Sequence, residues 1–407
     1  MNSISANFSY TKMQIKNLQF QYGFLYSSYW FTPFTALVFS YPALFISIDC
    51  GSSSSKPYTD ENSIEWVGDD QYIRTGEARN IISKEQMYGS DPHVMDTLRE
   101  FTTGRKNCYS IDVNNSEENI NVERVLVRAS FFYGNYDNKS NSPTFNLQFN
   151  GNNWTQVRTR DCLTYAEVVY SLNHGNTVTV CLAQTHPENV PFISALEVRS
   201  LDSDMYSYVD SNYPLLFMSR TAYGTNSNST VRFPDDSYDR IWESFGPLSK
   251  SSGLLRVKNR SPSVEVDIAD RIPDTLFTEA ITPANFSSGG YMWFGGKVLY
   301  PEIPMHFNAY FSEVIGLNST QKRSFNIYLD TYGVNGSKPS SHDFGIVNPP
   351  YGRALQVRLN NVSVESYTDF YEVYMQATND ATLNPLINAL EAYTIGEKLV
   401  QGTNSKD

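Results

Sequence analysis

The chain has 407 residues, of which 40% are hydrophobic and 18% charged, and its formal net charge is −12. This length suits two domains, and the hydrophobic fraction is sufficient for two packed cores, which argues against a disordered chain or a coiled coil. The acidic balance, without a run of Lys and Arg, makes nucleic acid and anionic membranes poor partners.

The N-terminal residues 1–44 are predicted to be a secretory leader. Lys12 and Lys16 precede the apolar, aromatic-rich stretch 29–48, and a basic segment before an apolar core is typical of a signal peptide. The alternative is an uncleaved signal anchor, which Pro33 and Pro42 disfavour because they interrupt the stretch. No second hydrophobic segment follows, so no transmembrane helix is expected after the leader.

Four cysteines, all in the first half, predict disulfide bonds in a secreted chain. Two bonds allow three connectivities, of which Cys50–Cys108 with Cys162–Cys181 is preferred here. The cysteines form no C-x-x-C pair and the histidines no H-x-x-x-H spacing, so neither a metal site nor a cofactor is expected.

Period-two alternation predicts strands along the whole chain. Residues 123–134 place Val125, Val127, Ala129 and Phe131 on one face. Residues 144–150 and 324–330 repeat the pattern, and in the latter Tyr328 lies on the outward face. No segment has a sustained helical period, so the predicted fold class is all-β, with antiparallel sandwiches.

The sequence also repeats itself once. TFNLQFN at 144–150 recurs as SFNIYLD at 324–330, VTVCLAQT at 178–185 as YEVYMQAT at 371–378, and PFISALEVRSL at 191–201 as PLINALEAYTI at 385–395. One order kept at separations of 180, 193 and 194 residues indicates a duplicated domain. The predicted boundaries are 45–202 for domain 1, 203–213 for an acidic linker, 214–397 for domain 2 and 398–407 for a polar tail.

Two clusters of aromatic residues are candidate ligand sites. The first, at the end of a predicted strand, holds Tyr133, Tyr136 and Asp137, although the preferred interpretation of these residues is a turn whose tyrosines cap the core. The second is a predicted loop that presents aromatic rings between two Gly pairs, where glycine permits close backbone approach; its competing interpretation is a strand with the rings in the core. Its members are Tyr291, Trp293 and Phe294.

Other prominent residues are assigned to the scaffold. Trp66, Trp154 and Trp242 are expected to pack in or near the cores. Glu197 and Glu391 occupy equivalent positions of the repeat, and a duplicated acid suggests a structural salt bridge rather than catalysis. No hydrolase, kinase or nucleotide-binding motif is present, so no enzymatic activity is expected.

N-glycosylation sequons support secretion. A further match at Asn259 is followed by Pro262 and is not counted. The predicted acceptors are Asn114, Asn138, Asn153, Asn228, Asn285, Asn318, Asn335 and Asn361.

Several segments, in order, resemble the malectin-like extracellular region of plant receptor-like kinases over residues 45–396. They include FISIDCG (45–51), TLREFTTGRKNCYSI (97–111), VLVRASFFYGNYD (125–137), RFPDDSYDRIW (232–242) and NPLINALEAYTI (384–395). The resemblance implies two tandem malectin-like β-sandwiches of the jelly-roll type, outside the plasma membrane. The sequence ends after the second of these, so kinase activity of this chain is not expected.

The resemblance implies ligand recognition, since animal malectin binds a glucose disaccharide and some plant members bind small secreted peptides and partner proteins. The expected ligands are a cell-wall carbohydrate, or a secreted peptide together with a receptor or coreceptor ectodomain, bound in a cleft between the domains or by loop aromatics. The alternatives are a soluble interaction module that acts as a decoy for receptor partners, and a carbohydrate-active enzyme with two carboxylates in one cleft.

Overall fold

The structure is a computed structural model that describes residues 42–52, 57–84, 93–113, 122–159, 162–172, 176–225, 230–249, 252–286, 290–297, 304–331, 340–363 and 370–400. Most of the predicted leader and residues 401–407 of the predicted tail lie outside these ranges. The described residues form strands and two short 3-10 helices, His93–Met95 and Asp274–Phe277, and include no α-helix.

The described residues of the first half of the chain form thirteen strands. They are β1 (Phe45–Asp49), β2 (Tyr58–Thr59), β3 (Glu65–Gly68), β4 (Glu77–Asn80), β5 (Thr97–Glu100), β6 (Lys106–Asp112), β7 (Arg124–Phe131), β8 (Thr144–Phe149), β9 (Asn152–Arg158), β10 (Thr164–Ser171), β11 (Thr177–Gln184), β12 (Phe192–Ile193) and β13 (Ala195–Leu201).

In the second half, the residues that the structure describes form eleven more. They are β14 (Leu215–Ala222), β15 (Glu243–Ser244), β16 (Leu254–Lys258), β17 (Glu279–Pro283), β18 (Tyr291–Lys297), β19 (Pro304–Phe311), β20 (Phe325–Thr331), β21 (Ser340–Val347), β22 (Leu355–Ser363), β23 (Phe370–Ala377) and β24 (Ala389–Ile395).

One eleven-stranded sheet runs through both halves in the order β2-β3-β1-β13-β7-β10-β14-β24-β19-β22, with β15 beside β14. Its pairs are antiparallel except β1–β3 and β14–β15. The four-stranded sheet β6-β11-β8-β9 covers the first half of the large sheet, and β18-β23-β20-β21 covers the second. These layers form the first sandwich and the second sandwich, and the predicted all-β tandem sandwich is confirmed.

The two sandwiches have the same strand order. The series β1-β13-β7-β10 of the first corresponds to β14-β24-β19-β22 of the second, and β6-β11-β8-β9 corresponds to β18-β23-β20-β21. The repeated sequence segments fall on corresponding strands, 178–185 on β11 and 371–378 on β23. The duplication seen in the sequence is therefore also a duplication of topology, while the domain boundaries stay a prediction.

Each sandwich has its own apolar core. In the first, Val125, Val127, Ala129 and Phe131 all belong to one buried cluster, as their spacing predicts. In the second, Phe325, Ile327 and Leu329 do the same. Alternate residues of a strand reach one face, so these strands turn their other side chains away from that core.

The sandwiches meet where strands β10 and β14 pair through Val168 with Leu216 and Val169 with Leu215. Beside this contact, Glu167 accepts hydrogen bonds from Arg128 at 2.7 Å and from Arg220 at 2.9 Å, and all three side chains are fully buried. Residues 40–407 form one compact unit. The junction is therefore closed by backbone pairing and buried charge.

The disulfide prediction requires a correction. Cys108 bonds to Cys181, whereas Cys50 is a buried free thiol and Cys162 an exposed one. The reason is register: Cys108 and Cys181 lie directly opposite each other on the neighbouring strands β6 and β11, with 4.0 Å between their Cα atoms. Sequence spacing does not reveal that pairing, because the two residues are 73 positions apart.

Candidate functional site

A groove of about 530 Å³ opens at one side of the second sandwich, between strand β14 of the large sheet and strand β18 of the four-stranded sheet. Five aromatic residues line it, together with the polar residues Ser219 and Thr221. We call it the aromatic groove. It is lined by Met218, Ser219, Thr221, Tyr223, Phe245, Trp293, Phe294, Gly295, Gly296, Tyr371 and Leu390.

An irregularity in strand β14 lies at the groove. The pairing of β14 with β24 shifts register between Phe217 and Ser219, so that Met218 is an extra residue of a β-bulge. Bulges bend a strand and are frequent beside binding sites. The bulge therefore lies in the wall where the two sheets of the sandwich separate.

The paired glycines Gly295 and Gly296 are required by close packing. A Cβ added to Gly296 would lie 2.6 Å from the hydroxyl oxygen of Tyr371, and one added to Gly295 would lie 2.9 Å from its carbonyl oxygen. Both distances are shorter than carbon–oxygen contacts in folded proteins, so any larger residue would displace Tyr371. The glycines thus let the buried Tyr371 ring form the floor of the groove.

The second predicted cluster is at this site, but it is not a loop. Tyr291, Trp293 and Phe294 belong to strand β18, which pairs with β23 along its whole length. Trp293 is 54% exposed and Tyr291 45% exposed, whereas Phe294 is buried in the second core. The rings of Trp293 and Tyr291 are exposed, as predicted. Phe294 has the opposite phase on the strand and packs in the core, where it also lines the buried part of the groove.

The first predicted cluster, Tyr133, Tyr136 and Asp137, does not present aromatic rings to solvent. Tyr133 and Tyr136 are buried in the core of the first sandwich, where both rings pack against Phe192. Asp137 accepts a hydrogen bond from the Tyr133 hydroxyl and lies 3.3 Å from the ammonium of Lys139. The tyrosines cap the core, so neither ring offers a face to a ligand.

The tryptophans assigned to the scaffold are buried. Trp66 and Trp242 each donate an indole hydrogen bond to an aspartate six residues earlier, Trp66 to Asp60 at 3.0 Å and Trp242 to Asp236 at 2.8 Å. Trp154 packs edge-on against Phe149 in the first core. The Asp–Trp pair is therefore a scaffold feature present in both halves.

The duplicated glutamates are structural, as predicted. Glu197 pairs with Arg128 at 3.2 Å and with Arg199 at 2.9 Å, and Glu391 pairs with Arg220 at 2.7 Å. Glu391 is buried, which disfavours its charge, yet Arg220 and Arg240 outweigh that cost and lower its pKa to about 2. Both carboxylates are fully engaged charges of the fold and not candidates for acid–base chemistry.

The sequons are partly placed by the structure. Asn114, Asn228 and Asn335 lie outside the described residues, and Asn361 lies in β22 with an undescribed side chain. The remaining four acceptors are solvent-exposed, which glycosylation requires. They are Asn138, Asn153, Asn285 and Asn318.

Sequence reasoning missed most of the groove. Phe245 follows the two-residue strand β15, is 41% exposed and packs against Tyr223 and Phe294. No local pattern marks it, because its neighbours across the groove are distant in sequence. Tyr371 could have been noticed, since it stands two residues before Val373 on the inward phase of β23.

The described part of the chain contains no helix long and apolar enough to cross a bilayer. Within the same part, no group of three or more His, Cys, Asp and Glu side chains is arranged to hold a metal ion.

Comparison with known proteins identifies relatives of the whole region. The chain is 35% identical over 367 residues to the uncharacterized Arabidopsis thaliana protein At1g24485, covering 88% of this chain and 66% of that protein. It is 30% identical over 367 residues to a probable leucine-rich-repeat receptor-like serine/threonine-protein kinase of the same plant, At1g51820, covering 89% of this chain but 38% of the kinase. The chain thus spans about two-fifths of the length of the receptor kinases it matches.

Solved structures have the same fold. The ANX2 ectodomain of Arabidopsis thaliana superposes with a TM-score of 0.70 at 15% identity, covering 89% of this chain and all of that one. The plant receptor-like kinase FER superposes at 0.66 and 17% identity, covering 87% and 96%. A third, at 0.65 and 16% identity with 90% and 100% covered, is a complex of the peptide RALF23 with FER and LLG2.

The family model of the malectin-like domain matches residues 48–395, which include both sandwiches and the groove. The chain therefore belongs to the malectin-like domain family.

Proposed function

We propose that this chain is a secreted, non-catalytic ligand-recognition module whose aromatic groove binds an extended segment of a secreted peptide or of a coreceptor. The observation that carries the proposal is the groove itself. It has a buried apolar interior and lies beside strand β18, an edge strand of its sheet. One structural neighbour, the complex of the peptide RALF23 with FER and LLG2, supports the same class of ligand.

The strand edges suit a peptide. Strand β18 is the outermost strand of its sheet and has no strand partner on its other side among the described residues. Across the groove, strand β14 pairs with β10 only at Leu215 and Leu216 and with β15 only at Thr221 and Ala222. Unpaired backbone groups at an edge can bind an added peptide strand, whose alternate side chains enter adjoining pockets.

The side chains of the groove suit an apolar anchor of that peptide. Phe245 and Trp293 are the exposed rings at its rim, and Tyr223, Phe294 and Tyr371 form its buried interior. Aromatic residues of this kind dominate the energy of protein interfaces, because they bury a large rigid surface at low entropic cost. An aromatic or long aliphatic ligand side chain would replace water against these rings.

The proposal is tested by selecting binders from a displayed random peptide library on the full chain. Selected peptides should carry an apolar anchor, and their affinity should fall at least about tenfold for Phe245→Ser, the loss expected when an interface anchor is truncated. Synthetic RALF23, with and without LLG2, should be measured beside them by biolayer interferometry.

The matched control is Phe286→Ser, which removes an equally exposed phenylalanine that does not line the groove. Peptide affinity should be unchanged in this variant. If no peptide is selected, or if the selected peptides bind Phe245→Ser as tightly as the unchanged chain, the groove is not a peptide site.

A further inference from the structure

We infer that the aromatic groove selects a neutral hydroxyphenyl group, which is either the side chain of a tyrosine in a bound peptide or a free phenol. This selectivity rests on the proposed peptide function and names the chemistry of the anchor that enters the groove. It is carried by four hydroxyl-bearing residues that line the groove, Ser219, Thr221, Tyr223 and Tyr371, which we call the hydroxyl set.

Three members of the hydroxyl set share one face of strand β14 and its continuation. Ser219, Thr221 and Tyr223 are alternate residues, which lie on the same face of a strand. The amide of Tyr223 donates a hydrogen bond to the carbonyl of Asn388 at 2.9 Å, so the extended backbone continues to this residue. Tyr223 belongs to the second core, as does Leu390, the cross-strand partner of Thr221. The shared face is therefore the core side of the sheet, where the groove opens.

The hydroxyl of Tyr371 lies at the wall that strand β18 forms. A Cβ added to Gly296 would be 2.6 Å from that hydroxyl oxygen, so the hydroxyl rests against the bare backbone of a groove-lining residue. Burial raises the pKa of Tyr371, and a side-chain hydrogen bond with Ser219 opposes the rise. Because Ser219 and Tyr371 belong to different sheets, their hydrogen bond fixes a polar point between the apolar walls.

Tyr223 supplies a second polar point. Its side chain is only 4% exposed, and its ring packs against Phe294 at 4.2 Å and against Phe245 at 5.1 Å. Burial raises the pKa of Tyr223 well above its ordinary value and Tyr371 adds to the rise, while no hydrogen bond from a described residue opposes it. Buried hydroxyls in proteins almost always have a hydrogen-bond partner. A polar group of a ligand in the groove can supply that partner.

The groove is polar without being charged. The described residues that line it include no Asp, Glu, Lys, Arg or His. A charged ligand group would leave water without meeting an opposite charge, which is unfavourable. The exposed rings of Phe245 and Trp293 offer apolar contact at the rim. A phenol suits both features, because its flat ring is apolar and its single neutral hydroxyl both donates and accepts hydrogen bonds.

The scaffold forms without the hydroxyl set. Ala195 and Ala389 are equivalent residues of the repeat, and their partners Asp49 and Ala222 align strand β1 with strand β14. At each position equivalent to a member of the hydroxyl set, the first sandwich has a residue that packs in or against its apolar core. These residues are Ile46 for Ser219, Ile48 for Thr221, Cys50 for Tyr223 and Val178 for Tyr371. The same positions thus close the core in one copy and carry hydroxyls beside a groove in the other.

The test uses the full chain and a groove-binding peptide from the displayed library, resynthesised with Tyr, Phe, Leu or phosphotyrosine as the anchor. Biolayer interferometry should show the tightest binding for Tyr and about tenfold weaker binding for Phe, the effect of a missing hydrogen bond to a buried hydroxyl. Phosphotyrosine should bind more weakly than Tyr, because its charge finds no cation in the groove. Tyr223→Phe and Tyr371→Phe keep both rings, and each should reduce the preference for Tyr over Phe to about threefold or less.

The matched control is Tyr351→Phe, which removes the hydroxyl of an exposed tyrosine outside the groove and should keep the full preference. Thermal unfolding of each variant establishes that the chain is folded. NMR titration with N-acetyltyrosinamide and N-acetylphenylalaninamide distinguishes the two sources of a phenol. If the free tyrosine amide binds and Tyr223→Phe weakens it, free phenols are ligands themselves. If tyrosine is preferred only within the peptide, its side chain is the ligand.

The outcomes separate phenol selectivity from the peptide function. Equal affinities of the Tyr and Phe peptides overturn the selectivity and leave the peptide function standing, and so does a preference that folded Tyr223→Phe and Tyr371→Phe both retain in full. If the free tyrosine amide binds and no peptide does, the selectivity stands and the peptide function is wrong. If neither the peptides nor the amide bind, both are wrong.

Discussion

The two sandwiches share one strand order but differ on the solvent face of their smaller sheets. The first has a disulfide between Cys108 and Cys181, and the second places Trp293 and Tyr374 at the same two positions. The core sides of the same strands are apolar in both copies. Packing constrains the core face of a strand, whereas its outer face can diverge and carry a disulfide in one copy and aromatic rings in the other.

The strands that border the groove differ as well. In the first sandwich β1 pairs with β13 from Phe45 to Asp49 without interruption. Its counterpart β14 carries the bulge at Met218. One additional residue therefore distinguishes an unbroken scaffold strand from the strand that forms a wall of the aromatic groove.

The largest expected effect comes from Glu167, which joins the two sandwiches. Glu167→Gln should lower the free energy of unfolding by about 3–5 kcal/mol, because removal of one partner leaves the buried Arg128 and Arg220 undercompensated. Denaturation in urea, followed by circular dichroism and by tryptophan fluorescence, measures the loss.

Glu265→Gln is the control, since Glu265 pairs with Arg353 at 3.2 Å on the surface and such pairs contribute at most about 1 kcal/mol. Equal unfolding midpoints for the two variants would show that the sandwiches do not depend on the charge between them.

The second effect concerns the disulfide that distinguishes the first sandwich. Replacing Cys108 and Cys181 together by Ser should lower the free energy of unfolding by about 2–4 kcal/mol, because the unfolded chain loses a cross-link across 73 residues. Guanidinium denaturation of the variant, beside the unchanged chain with and without reductant, gives this value.

Cys162→Ser alters an exposed free thiol and should leave the midpoint unchanged. If the double variant is as stable as the unchanged chain, the disulfide does not contribute to the stability of the first sandwich.

The smallest effect is a pH dependence in the first sandwich. Burial raises the pKa of Asp49 from 3.8 to about 6, although Tyr58 and Thr97 donate hydrogen bonds to it. A raised pKa means that the folded state binds the proton more tightly than the unfolded state. The contribution of Asp49 to the free energy of unfolding is therefore full below pH 3.8 and is lost as the pH rises through about 6. Asp49→Asn should therefore remove a decline in stability of up to about 3 kcal/mol between these values.

Equilibrium unfolding from pH 4 to pH 7 measures this dependence, and the difference between Asp49→Asn and the unchanged chain should grow with pH. A difference that is constant over the whole range would show that Asp49 does not titrate there. In the second sandwich the pKa of the buried Glu391 is shifted the opposite way, from 4.5 to about 2, so its contribution to stability is full above pH 4.5 and is lost as the pH falls towards 2.

Much of this protein follows from local sequence. The alternation in 123–134 and 324–330 predicts both the strands and their inward faces, because a strand has only two faces and one must be apolar. The repeat identifies the duplication, and the equivalence of Glu197 with Glu391 identifies them as scaffold. Even Tyr328 is assigned to the outward face from its phase alone.

Tertiary packing determines which residues, distant in sequence, become neighbours. The partner of Cys108 depends on the pairing of β6 with β11, the burial of Tyr133 on its contact with Phe192, and the groove on the approach of Phe245 to Tyr223 and Phe294. Phase along a strand is a local property, encoded every two residues. Register between strands and the opening between sheets are set by packing across the whole molecule, and no short segment of the sequence contains them.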